Sequence, residues 1–170
     1  MADPIWHPKA PVLRDGSWHD NDLTHLDDDS ELPETGRVTV SLARWAAAAD
    51  QLADRGDVGL RLHSDDALAD ALAYTNRAAL VAIEFPTFAD GRGYSLARLL
   101  RERHDYTGEL RAVGDILIDQ LTYLLRCGFD TLEVRPDQNR EAAIAALDTF
   151  SVAYQAAAEP ALPIYHRIAR

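Results

Sequence analysis

After Gly36 the chain alternates short apolar runs with longer segments whose apolar residues recur at helical spacing. "RVTVSL" (37–42) is β-branched and alternating, which predicts a strand. "ARWAAAADQLADRG" (43–56) is alanine-rich and stops at a glycine, which predicts a helix. "VGLRLH" (58–63) predicts a second strand. "SDDALADALAYTN" (64–76) opens on Ser64 as N-cap with two acids in the first turn, the signature of a helix start. "ALVAIEF" (79–85) is almost continuously apolar, as befits a strand covered on both faces. "YSLARLLRERH" (94–104) is amphipathic, and "GELRAVGD" (108–115) contains a fourth strand. "ILIDQLTYLLRCG" (116–128) sets Leu117, Leu121, Leu124 and Leu125 on one side of a helix closed by Gly128. "FDTLEV" (129–134) predicts a fifth strand, and "PDQNREAAIAALDTF" (136–150), opening on Pro and Asp, a fifth helix.

Five βα units in succession predict an α/β domain over residues 37–150: a mostly parallel sheet flanked by helices. Either a flavodoxin-like open sheet or an incomplete βα barrel fits. A closed eightfold barrel takes about 250 residues, more than the 170 present. Residues 1–36 carry prolines at 4, 8, 11 and 33 and the run "DDDSE", and are expected to form an acidic, largely irregular lead. Trp6 and Trp18 argue against full disorder there; "GSWHDND" suits a short strand or turn that lays Trp18 on the body. Residues 151–170 are expected to form an extended tail with a short helix at its end.

Composition narrows the function classes. A net charge of -11 argues against nucleic-acid binding. Residues 1–35 hold nine acids and two bases, so about -7 of that charge sits in the lead, either as a solvating segment or as a docking tail for a basic partner. No apolar run reaches the roughly 18–20 residues of a membrane helix, and no secretory signal opens the chain, so a cytoplasmic protein without a membrane is expected. Cys127 is the single cysteine; it excludes an intramolecular disulfide, holds no cluster alone, and sits at a helix C-terminus where a thiol is a poor nucleophile. The histidines (7, 19, 25, 63, 104, 166) form no HxH or HExxH pair, so no metal is expected. No GxSxG elbow is present.

Ligands of parallel α/β folds bind beyond the carboxyl ends of the strands, where this chain has His63, Glu84, Gly114 with Asp115, and Glu133 with Arg135. "EFPTFADGRGYSLARLLRER" (84–103) begins at such an end. Its Gly91 and Gly93 permit positive φ and close approach, and the following helix aims free N–H groups at the loop. Arg92 and Arg98 offer bidentate bonds to an oxyanion. In the opposing reading Asp90 caps the turn, the glycines only shape it, and Glu84 pairs with Arg61 or Arg111. Arg111 lies mid-strand, where a charge must be paired or face a polar cavity. Asp115 and Asp119 stand one turn apart and suit proton transfer, Mg²⁺ binding or simple helix-dipole complementation. Glu84 and Asp115 are thus the candidate proton-transfer groups; Asp90, Arg92, Tyr94, Arg98, Arg111 and Asp119 are the candidate binding groups.

Three stretches, "EFPTFADGRGYSLARLLRER", "GELRAVGDILIDQLTYLLRCGFD" and "FSVAYQ", resemble a bacterial family of domains of unknown function. Members are often labelled probable oxidoreductases involved in sulfite reduction, because their genes lie beside those of sirohaem-dependent sulfite reductase. The resemblance runs over about residues 36–155 and is strongest at 79–134. It implies an accessory protein of assimilatory sulfite reduction, with the reductase or its electron donor as partner. The residues themselves indicate no cofactor by motif: there is no nicotinamide fingerprint, cysteine set or haem-ligand pair, and the first βα turn, "SLARWAA", offers a flavin phosphate only Ser41. The alternative is a small protein or enzyme acting on an oxyanion such as sulfite, a sulfonate or a phosphate ester. A third reading is a homo-oligomer whose incomplete sheets pair.

Overall fold

The computed structural model describes residues 10–147 and 158. Expectations for Trp6, His7, the end of the fifth helix, the tail and His166 fall outside them. The domain is α/β: an eight-stranded mixed sheet with five helices. The strands are β1 (Val12–Arg14), β2 (Ser17–His19), β3 (Thr24–His25), β4 (Val38–Ser41), β5 (Val58–Leu62), β6 (Val81–Phe85), β7 (Leu110–Gly114) and β8 (Thr131–Glu133). The helices are α1 (Leu42–Arg55), α2 (Leu68–Thr75), α3 (Arg92–His104), α4 (Leu121–Arg126) and α5 (Arg140–Leu147).

Strand order is β2-β1-β8-β7-β6-β5-β4-β3. From β4 to β8 each strand lies beside the next one in sequence, parallel to it. This sequential order is not the 2-1-3-4-5 order of a flavodoxin-like sheet. The sheet is also not purely five βα units, because the supposedly irregular lead contributes three short strands. β1 and β2 form an antiparallel hairpin docked antiparallel on β8, and β3 adds in parallel to β4. β2 lays Trp18 on α5 as expected: its indole N–H donates to the Arg140 carbonyl at 3.2 Å, and the Arg140 guanidinium lies over the ring.

The sheet is curled. β3 and β8 stand five inter-strand steps apart, roughly 24 Å in a flat sheet at about 4.8 Å per step. Yet His25 Nε2 lies 3.1 Å from a Glu133 oxygen. The outer face of this open barrel carries the main core, where Val40, Leu60, Leu62, Ile83, Phe85, Ala112 and Leu132 meet buried residues of the helices. Trp45 of α1 is fully buried in it, its indole N–H bonded to the Gly59 carbonyl. The inner face is different. Along it run Thr39, Arg61, Glu84, Arg111, Thr131 and Glu133, all buried, beside a small apolar cluster of Leu23, Leu80, Ala82 and Val113. No described helix is long and apolar enough to cross a membrane.

Three helices start later than their sequence suggests. α5 begins at Arg140 rather than at Pro136, with the Asn139 side chain accepting from the Ala142 amide at its start. Ser64 does not cap α2; its hydroxyl donates to Asp90, while Asp66 takes the His63 amide, and this turn delays the helix to Leu68. In the stretch 116–128, a 3-10 turn at Ile118–Gln120 precedes α4, with the Gln120 side chain accepting from the Leu117 amide.

Candidate functional site

The carboxyl ends of β4 to β8 open on one end of the barrel, and the residues singled out in the sequence divide there into three groups. The first is the loop after β6. Asp90 accepts from Ser64, from the Arg92 amide and from the Arg92 guanidinium at 2.9 and 2.7 Å. Arg92 also contacts Asp65. The loop guanidinium is therefore neutralised by two carboxylates, while its side chain stays half exposed. Neither glycine adopts a positive φ. Gly93 is needed for a different reason: a Cβ there would sit 2.6 Å from the Phe85 ring, so the glycine lets α3 press on β6. Phe88, at the tip, is 47% exposed.

The second group does not face the barrel interior. Tyr94 packs between Phe85 and Tyr123, with centroids at 5.0 and 4.9 Å, and its hydroxyl accepts from Gln120. Burial, partly opposed by the Gln120 hydrogen bond, raises its pKa. Arg98 pairs with Glu102 one turn along α3, and Asp119 is exposed. Asp115 accepts from Arg135 at 2.9 Å and from the Phe88 amide at 2.8 Å, so it ties two loops together. Cys127 is buried, and burial raises its thiol pKa.

The third group lies inside. Arg61 and Arg111 flank Ala82 at the same level of the sheet. Arg111 turns toward the start of its strand. It donates to Glu109 at 3.0 and 2.7 Å, to Asn21 at 3.0 Å and to Glu133 at 3.1 Å. Glu109 also takes Arg37, which in turn meets Asp22. Glu133 also meets His25, whose Nδ1 is 2.6 Å from the Thr39 hydroxyl. The result is a ladder of alternating carboxyl and nitrogen-bearing side chains: Asp22, Arg37, Glu109, Arg111, Glu133, His25. Burial pushes Glu109 and Glu133 toward protonation, but the arginines and His25 outweigh it, and both carboxyls are held below the usual range.

Arg61 turns the other way, toward the mouth. Its Nε is 3.7 Å from Glu84, beyond hydrogen-bond range, and the Glu84 carboxylate has no hydrogen bond among the described residues. Burial, only partly opposed by Arg61, raises the Glu84 pKa; burial likewise lowers that of Arg61. Exposed Asp27 and Asp28, and Asp66, lie close enough to act on Arg61. Glu84, Arg92, Arg111 and Asp115 therefore do not converge on one pocket. His25, Asn21 and Thr39 escaped sequence reasoning; the available signals were the "LTHL" alternation and an unmatched charge at Glu133, in the strand beside that of Arg111.

Other concave features lie elsewhere. A cleft of about 570 Å³ sits at the amino ends of β7 and β8, but its Arg101 is saturated by the carbonyls of Tyr106, Gly108 and Gly128 and by Asp130. Among the described residues no group of three His, Cys, Asp or Glu side chains is placed to hold a metal ion.

A family model described as "Bacterial protein of unknown function (DUF934)" matches residues 59–165, which spans β5 through α5 and includes Arg61, Glu84, Arg111 and Glu133. No curated protein and no solved structure matches. With well over half of its length under that match, the chain belongs to the DUF934 family of bacterial proteins.

Proposed function

We propose that the protein acts by binding a partner, as an accessory protein of assimilatory sulfite reduction that engages sulfite reductase or its electron donor. The observation that carries this reading is the state of the mouth. Its guanidiniums are already matched with carboxylates: Arg61 with Glu84, Arg92 with Asp90 and Asp65, Arg135 with Asp115 and Asp137. What faces outward is acidic and partly aromatic: Asp27, Asp28, Asp29, Glu31, Asp65 and Phe88. Such a surface repels small anions, steers basic surfaces toward it, and gives them one aromatic anchor. The sulfite-reduction assignment comes from the sequence resemblance.

The test is capture of the tagged protein from its own cells grown on sulfate, with the eluate read by absorbance and mass spectrometry. Recovery of the reductase with a sirohaem spectrum, lost when Phe88→Ser is combined with Asp27→Asn and Asp28→Asn, is expected. A colourless eluate without reductase or donor overturns the reading.

A second reading, an oxyanion-binding protein or enzyme, is favoured by Glu84: a buried carboxylate without a hydrogen bond among the described residues, beside an arginine at the strand ends, suits proton transfer to a bound oxyanion. A thermal shift with sulfite, sulfate or phosphate that disappears in Glu84→Gln is the result it requires.

A further inference from the structure

One short segment, Asn21 to His25, lies across the inner face of the barrel. The Asn21 side-chain oxygen accepts from Arg111 and from the Leu23 amide. Leu23 fills the small cluster of Leu80, Ala82 and Val113, which is separate from the main core. His25 reaches Thr39 on β4 and both oxygens of Glu133 on β8. Three side chains thus touch β4, β6, β7 and β8.

The backbone holds this segment lightly. β3 is two residues long and stands at the edge of the sheet. Among the described residues it pairs on one side only, with β4, and its flanking amides add Thr24 N–H to the Arg37 carbonyl and Leu26 N–H to the Thr39 carbonyl. β6, by contrast, is five residues long, fully buried and paired on both sides. An element anchored by one apolar side chain and a few polar contacts opens at a free energy below that of global unfolding. The groups beneath it favour this: lifting the segment returns water to Arg111 and Glu133, which recovers part of their desolvation cost. The hydroxyl of Thr131, in register with Arg111, is buried without a hydrogen-bond partner among the described residues.

We propose that Asn21–His25 is a strap that opens and closes on the barrel interior as a unit of its own. The contact between His25 and Glu133 latches it, and its position governs access to Arg111 and Glu133. The inference is independent of the docking reading.

Hydrogen exchange on the full chain tests it. The Thr24 and Leu26 amides are expected to exchange about a hundredfold faster than those of Val81–Phe85, as a sub-global opening requires. His25→Ala should speed the strap further and leave β6 unchanged. In the same variant, phenylglyoxal should label Arg111 faster, as mapped by mass spectrometry. Strap amides as slow as β6, acceleration of both together, or no gain in Arg111 labelling overturns the proposal. If His25→Ala does not fold, the wild-type comparison of strap and β6 decides alone.

Discussion

Arg61 and Arg111 stand on either side of Ala82 in the same barrel, and their surroundings are opposite. Arg111 has Glu109, Glu133 and Asn21 within hydrogen-bond reach, and Glu133 has His25 as well. Glu84 faces Arg61 at 3.7 Å and accepts no hydrogen bond among the described residues. Both carboxylates are buried, yet their pKa values move in opposite directions: Glu133 down, Glu84 up. Burial alone therefore does not set the charge of an interior carboxylate. The number of donors aimed at it does.

The largest effect should come from breaking the saturated side. Arg111→Ala removes the guanidinium that joins Glu109, Glu133 and Asn21, leaving half-buried Glu109 and buried Glu133 with only Arg37 and His25, among the described residues, to oppose their burial, and is expected to cost about 3–5 kcal/mol in denaturant unfolding. Arg111→Met should be nearly as damaging, because the methionine replaces only one member of the ladder. Glu84→Gln should change stability at neutral pH by less than about 1 kcal/mol, since it removes a charge that burial already disfavours. Equal losses in the Arg111 and Glu84 variants would erase the contrast.

The pH dependence sharpens it. Glu133, depressed in the fold, contributes stability that is present above the ordinary carboxylate pKa and lost as pH falls through its lower folded value. Glu84, raised in the fold, contributes stability that is present below the ordinary value and lost as pH rises through its higher one. Glu84→Gln should thus flatten the mildly acidic limb of a stability-pH curve, and Glu133→Gln the strongly acidic limb. The smallest effect is expected at the surface: Arg92→Ala, half exposed, should cost under about 1 kcal/mol in a thermal melt.

Much of the architecture was legible because β4 to α5 follow hydrophobic periods that few other folds satisfy. The N-terminal strands were not. Two or three residues carry no period, and what makes them strands is the neighbour they meet, β8 for the hairpin and β4 for β3. The site was legible by halves. Glu84 and Arg111 stood out as charges in apolar strands, and the choice of Arg61 as partner for Glu84 needed strand order. His25 was invisible as a functional group because Glu133 is 108 residues away. Arg92 looked like an anion ligand because its two neutralising carboxylates, Asp65 and Asp90, come from different loops.

The order of the strands also bears on how the chain is made. From β4 to β8 each strand finds its partner next in line, so the sheet can grow vectorially as the chain leaves the ribosome. The hairpin of β1 and β2 is synthesised first, yet its partner is β8, the last strand among the described residues. It must wait through the synthesis of β4 to β8, and docking it brings residues 12–14 against residues 131–133, more than a hundred positions later in the chain.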